Sequence, residues 1–212
     1  MNLAPDTLHG DWIDVSRPLS NATPVWPEDR AFRMSRADVP GFVVGSFETT
    51  CHVGTHVDAP LHLDPRATAV DGIALQRFLG AAEVVRTPRE CRLVGREHLG
   101  PGWVPSAPRV LFRTDSHPLN SAIGAGFSAL SEALIGELAE HGVQLIGIDT
   151  PSVDPFDSAD VPCHRAMAAL GMTWIEGLWL EQAEPGLYLM IGLPMALAEA
   201  DAAPVRVILR RA

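Results

Sequence analysis

The chain is poor in several features that would each have set its class. Only three cysteines, Cys51, Cys91 and Cys163, occur in 212 residues, and no two are spaced as Cys-x-x-Cys. An odd, low count builds no disulfide framework, and a reducing cytoplasm is the expected setting. Basic charge is scarce: 16 Lys and Arg face 26 Asp and Glu, giving a formal net charge of -10. A nucleic-acid binder needs a basic face for phosphates, so that class is excluded. Long apolar runs are missing too. The longest, residues 187–198, is too short to span a bilayer and contains Pro194, so no membrane partner is expected. The opening Met1-Asn2-Leu3-Ala4-Pro5-Asp6 has no basic segment followed by an apolar stretch and does not read as a signal peptide. No internal repeat, low-complexity tract or evident linker is found.

What is present suits one globular domain over residues 1–212. Apolar residues make up 47% and charged residues 20%, enough to build a real core. The 18 Gly and 18 Pro are spread out, which predicts many short elements joined by defined turns. Strands are predicted at 12–15, 43–50, 82–86, 109–113, 143–148, 173–180, 187–191 and 205–209, and helices at 131–141 and 163–170. The first helix carries the stripe Leu134, Ile135 and Leu138 and ends at Gly142; Gly171 stops the second. Residues 20–41, rich in Pro, Asn and Asp, read as a long loop. More strands than helices, in mixed order, predict an α/β domain with at least one mixed sheet.

The chemistry concentrates in His52-Val-Gly-Thr-His56-Val-Asp58-Ala-Pro-Leu-His62, where three of eight histidines fall within eleven residues beside an aspartate. Gly54, the β-branched Val53, Thr55 and Val57, and then Pro60 argue against a helix. A turn through Gly54 into an extended piece would place His56 and Asp58 on one side, and the turn would bring His52 back towards them. Imidazole and carboxylate together suit zinc or manganese. Downstream, strand parity puts Glu176 on the face of Trp174, Leu178 and Leu180. A carboxylate amid such apolar surface is costly unless paired or metal-bound. The alternatives are an edge position facing water, or an arginine partner. His164 lies twelve residues earlier, on the second helix. No Gly-x-Ser-x-Gly elbow or Ser-His-Asp order supports a serine hydrolase.

The pattern His-x-Gly-Thr-His-x-Asp-Ala-Pro-x-His resembles the signature of the metal-dependent cyclase family. The likeness extends over nearly the whole chain, through Trp12-Ile-Asp-Val-Ser-Arg-Pro-Leu, Thr23-Pro-Val-Trp26-Pro-Glu-Asp, Leu145-Ile-Gly-Ile-Asp149-Thr-Pro-Ser-Val-Asp154-Pro, Ile175-Glu176-Gly and Pro204-Val-Arg-Val-Ile-Leu-Arg. The combination points to the formamidase branch of that family. The resemblance implies a compact mixed-sheet fold of the swivelling β/β/α (cyclase-like) type, usually a homodimer, with two divalent metal ions per chain, zinc ahead of manganese. It implies that His52, His56 and Asp58 hold one metal, and that Asp58 bridges to a second held by His164 and Glu176. His62 matches the family's catalytic histidine and Trp26 its substrate-contacting tryptophan.

The activity so implied is hydrolysis of an aryl formamide, N-formyl-L-kynurenine, to L-kynurenine and formate in tryptophan degradation. His62 would move the proton and Trp26 would stack on the ring, although Trp26 also reads as a loop anchor. Two rivals stand beside this reading: a family hydrolase opening a cyclic amide such as isatin, and a non-catalytic metal-binding module of the same fold. Asp149 and Asp154 read either as support for the site or as turn residues. Arg113-Thr-Asp115-Ser-His117 also ends a strand, and His117 is not counted among the site residues. Cys51 and Cys163, though beside candidate ligands, read as packing residues.

Overall fold

The structure, a computed structural model, describes residues 11–212, so the reading of the first six residues lies outside it. The strands are β1 (Ile13–Asp14), β2 (Arg33–Val39), β3 (Phe42–Glu48), β4 (His56–Asp58), β5 (Leu79–Arg86), β6 (Leu93–Val94), β7 (Arg109–Arg113), β8 (Ala129–Leu130), β9 (Leu145–Ile148), β10 (Thr173–Glu176), β11 (Gly186–Pro194) and β12 (Ala202–Arg211). The helices are α1 (Glu132–Glu140) and α2 (Pro162–Ala169). Eight strands form one mixed sheet in the order β1-β12-β11-β5-β7-β9-β10-β4. β12 also pairs with β4, through Ala202↔Asp58, Ala203↔Val57 and Pro204↔His56, which closes seven of the strands into a barrel. The expected mixed-sheet α/β architecture is the one observed.

Strand parity then sorts the core into two. Val57, Leu111, Leu145, Ile175, Tyr188 and Met190 fill the barrel interior. Their sequence neighbours Val110, Phe112, Ile146, Ile148 and Trp174 point outward and pack under Leu134, Ile135 and Leu138 of α1 and Met167 of α2. These parallel strands are buried on both faces, which is why their sequences are apolar runs rather than alternations. Ser131 caps α1 by accepting from the Leu134 amide at 3.3 Å. Gly142 and Gly171 take left-handed φ values of 79° and 65° after the two helices.

Two expectations need correction. Residues 20–41 are not one loop: β2 begins at Arg33 and forms an antiparallel hairpin with β3, from Arg33↔Glu48 to Val39↔Phe42. All seven residues of β2 are exposed, so no burial demanded the alternation that marks a strand. Glu176 shares a face with Trp174 but not with Leu178 and Leu180. β10 ends at Glu176, Gly177 turns with φ 64°, and Leu178 and Leu180 drop into the barrel interior. A left-handed glycine breaks the two-residue period on which the parity argument rests. Among the described residues no helix is long and apolar enough to cross a membrane.

Candidate active site

The site lies on the outer face of the barrel, where β4 and β10 run side by side under the start of α2. Their register sets His56 opposite Glu176 and Asp58 opposite Trp174. Gly54, at φ 59°, makes the expected turn and returns His52 to the same face. His52 Nδ1 lies 3.0 Å from Asp58 Oδ1, and His56 Nε2 lies 3.4 Å from both Asp58 Oδ1 and Glu176 Oε2. From α2, His164 Nε2 stands 3.3 Å from Asp58 Oδ2 and 3.3 Å from Glu176 Oε1. The structure therefore brings together all five of the predicted ligand positions.

These groups form two sets, His52–His56–Asp58 and Asp58–His164–Glu176, each with one ligand-type atom per residue within 4.8 Å of the others; Asp58 is common to both. Asp58 and Glu176 are only 1% and 3% exposed. Two buried carboxylates this close repel, and the arrangement is costly without positive charge between them. Burial and Asp58 push the Glu176 carboxyl up, but His164 holds it below the usual range. Burial opposes charge on His52, yet Asp58 and Asp201 push it up to about 9. Burial likewise opposes charge on His164, and Glu176, Asp154 and Asp58 drive it well above the usual value.

Two observations test the fit of a divalent metal. Asp58 Oδ1 is buried without a hydrogen-bond donor, although His52 and His56 approach it closely without the angle for a bond. A buried acceptor left bare costs about 1–3 kcal/mol, and more when charged, unless a cation meets it. In addition, each candidate imidazole ligand has its second nitrogen in contact with an acceptor. His52 Nε2 meets Asp201 at 2.9 Å, His56 Nδ1 meets the Gly54 carbonyl at 3.2 Å, and His164 Nδ1 meets Asp154 at 2.6 Å. Metal-binding histidines are held in this way, which fixes the ring and leaves the other nitrogen free. Trp174 Nε1 donates to Asp58 Oδ2 at 3.1 Å, and the Val153 amide donates to Glu176 Oε1 at 2.8 Å.

Sequence reasoning missed Asp201 and left Asp154 undecided. Asp201 precedes β12, and the β12–β4 pairing carries it to the site, where Oδ2 also lies 3.3 Å from His62 Nδ1. Nothing in the sequence around residue 201 signals this; the sheet closure makes it. Asp154 accepts from the Cys163 and His164 amides at 2.9 and 3.1 Å, capping α2 while it holds the His164 ring. Asp149 has neither role: it ties the end of β9 to the segment after β7, accepting from the Thr114 and Asp115 amides, each at 2.9 Å, and from the Thr114 hydroxyl at 2.6 Å. Cys163 is buried in the core and Cys51 is half-buried; all three cysteines are free.

A cavity of about 570 Å³ opens onto the cluster. Trp26 forms part of its wall with its ring centroid 5.0 Å from Phe156, and His117, Leu119, Asn120 and Ile123 form another part. His62, half-exposed, stands at the junction, its ring centroid 4.3 Å from that of His52.

Comparison with known proteins agrees with this architecture. Residues 13–155 match the family described as putative cyclase, and the chain belongs to it. It is 41% identical over 207 residues to the kynurenine formamidase of Salinibacter ruber, covering 94% of this chain and 97% of the relative. It is 40% identical over 201 residues to that of Bordetella pertussis, covering 93% and 96%. Among solved structures, a predicted metal-dependent hydrolase from Bacillus stearothermophilus superposes with a TM-score of 0.81 at 25% identity, over 94% of this chain and 97% of the other.

Proposed function

We propose that the chain is a metal-dependent formamidase that hydrolyses N-formyl-L-kynurenine to L-kynurenine and formate. The observation that carries the reading is the cluster of five ligand-type side chains, with Asp58 at its centre, at the floor of a cavity with an aromatic wall. The full-length likeness to kynurenine formamidases supports it. His52, His56 and Asp58 would hold one divalent ion, and Asp58, His164 and Glu176 a second. Three imidazoles and two carboxylates suit zinc, with manganese next. Such ions supply Lewis acidity and hydroxide near neutral pH.

The chain's own residues do the rest. Trp26, tilted against Phe156, offers a flat surface on which the aryl ring stacks. His62 has Nδ1 within reach of Asp201, which leaves Nε2 to carry the proton. It takes a proton from the attacking water and returns it to the aniline nitrogen as the C–N bond breaks. His62→Ala should keep the metal and lower the rate by about 10²–10⁴-fold, most severely for poor aniline leaving groups. Unchanged turnover, or loss of metal with the ring, would exclude this role.

The deciding experiment is formate release by the metal-reconstituted protein from N-formyl-L-kynurenine, with isatin in a parallel assay. Turnover of the formamide is expected. Opening of the cyclic amide alone, or metal uptake without any turnover, would overturn the proposal.

A homodimer fits this reading. The β2–β3 hairpin leaves Phe42, Val44 and Val39 exposed on one face at 63%, 46% and 36%, and a lone hairpin of this kind is only marginally stable in water. A second copy would cover it. A reducing cytoplasm is the proposed setting, in keeping with three unpaired cysteines.

A further inference from the structure

Arg17 has no part in the chemistry proposed above, yet it grips four segments around the cavity. It follows β1, and its own amide donates to Thr55 Oγ1 at 2.8 Å. Its guanidinium donates from Nε to the Gly177 carbonyl at 3.1 Å, from Nη1 to the Pro118 carbonyl at 3.3 Å, and from Nη2 to the carbonyls of His117 and Asp149 at 2.8 and 2.7 Å. All four acceptors are backbone carbonyls. Burial lowers its pKa and the Asp149 charge pulls it back up, and an arginine stays cationic throughout. The planar fork serves here as a geometric clamp, which an ammonium could not reproduce.

Three of the gripped segments fall into two groups, and the fourth, at Asp149 after β9, anchors the guanidinium to the sheet. One is the floor: Gly177 follows Glu176, and Thr55 precedes His56. Thr55 Oγ1 donates to the Gly177 carbonyl at 2.7 Å, so Arg17, Thr55 and Gly177 form one knot. The backbones there touch, since a Cβ on Gly177 would lie 2.0 Å from the Gly54 carbonyl oxygen. The other is the wall: His117 and Pro118 open the loop 116–128, whose base is drawn shut by the Ser128 amide donating to Ser116 Oγ at 2.9 Å. That loop presents His117, Leu119, Asn120 and Ile123 to the cavity. It is a compact loop with meeting ends, of the kind that often carries function.

We infer that Arg17 is a positioning residue: it fixes how far the 116–128 wall stands from His56 and Glu176, and so sets the cavity's width for an aryl ring. The inference rests on the reading that this cavity binds an aryl formamide. It assigns to the opening Ser16-Arg17-Pro18 segment a role in selecting substrate rather than in transforming it.

The test uses Arg17→Lys and Arg17→Ala in the full-length, metal-loaded protein. Three readouts are taken together: metal content, steady-state constants with N-formyl-L-kynurenine, and the affinity of 2-aminoacetophenone measured by tryptophan fluorescence. Both variants should keep wild-type metal content. KM and the dissociation constant of the aryl amine should each rise roughly tenfold or more, with kcat changed far less. Lysine should not restore binding, whereas millimolar methylguanidinium added to Arg17→Ala should restore it in part. Wild-type affinity in Arg17→Lys would overturn the inference, as would joint loss of metal and kcat with the aryl-amine affinity intact. If Arg17→Ala does not fold, Arg17→Lys decides alone. Absence of wild-type turnover would sink the formamidase reading by itself, while aryl-amine binding would still decide the role of Arg17.

Discussion

One carboxylate, Asp58, belongs to both ligand sets, so the two proposed metal positions stand or fall with it. Asp58→Asn replaces two anionic oxygens by one weak acceptor and a donor. The variant should lose both ions, which elemental analysis after reconstitution would register; full metal content would remove the bridging role. Asp154→Asn acts one step further out, by loosening the His164 ring it now holds at 2.6 Å. Metal affinity should fall about 10–100-fold, as a competing chelator would measure. His117 permits a prediction about pH. Burial and then the Arg17 charge push it down to about 4, so between pH 6.5 and 4 the unfolded chain takes up a proton that the folded chain refuses. The folded-state pKa is the lower one, so stability is unaffected above about pH 6.5 and declines as pH falls through that window. Partial exposure limits the loss to about 1 kcal/mol. Urea midpoints of wild type and His117→Gln at pH 7 and 5 should diverge at the lower pH, and parallel behaviour would contradict the shift. At this scale the sequence was informative where partners are near neighbours. His52, His56, Asp58 and His62 were legible because one turn and one strand gather them. Asp201 and Arg17 were not, because their partners lie more than a hundred residues away along the chain in several cases.

Among the elements, the short β4 and β10 matter most, and their junction at Gly54 and Gly177 fixes the spacing of His56 and Glu176. Gly177→Ala would force a Cβ to within 2.0 Å of a backbone oxygen at a φ of 64°. Left-handed strain and overpacking together should cost roughly 2–5 kcal/mol. A lowered denaturant midpoint checks this, and a stability equal to wild type would mean that the two strands can separate freely. The buried strands and both helices were legible from apolar runs, helical stripes and glycine stops. β3 was read at 43–50 from its β-branched and aromatic residues, but its partner β2, exposed on both faces and without a burial pattern, was not, and the hairpin was missed with it. The face of Leu178 was misread for the opposite reason: the pattern was there, but a single left-handed glycine inverted it.

For the molecule as a whole, a net charge of -10 opposes association of two copies at low ionic strength, so the proposed dimer needs an apolar face to supply the attraction. Phe42→Ser with Val44→Ser should shift sedimentation from dimer to monomer while leaving the metal sites loaded; a monomeric wild type would remove the proposed assembly. Closure of the barrel by β12 against β4 has a consequence for how the protein matures. Ala202 and Asp58 are cross-strand neighbours, so all five ligand-type residues are synthesised well before the strand that shuts the ring beside them. Long-range closure of this kind is slow, because a large loop must be ordered before its contacts form. A cation that binds the closed ring and not the open one draws the equilibrium towards closure by mass action. Metal supplied while the chain is being made should therefore raise the yield of folded protein, and chains made in metal-starved cells should linger with an open seam exposed to proteases.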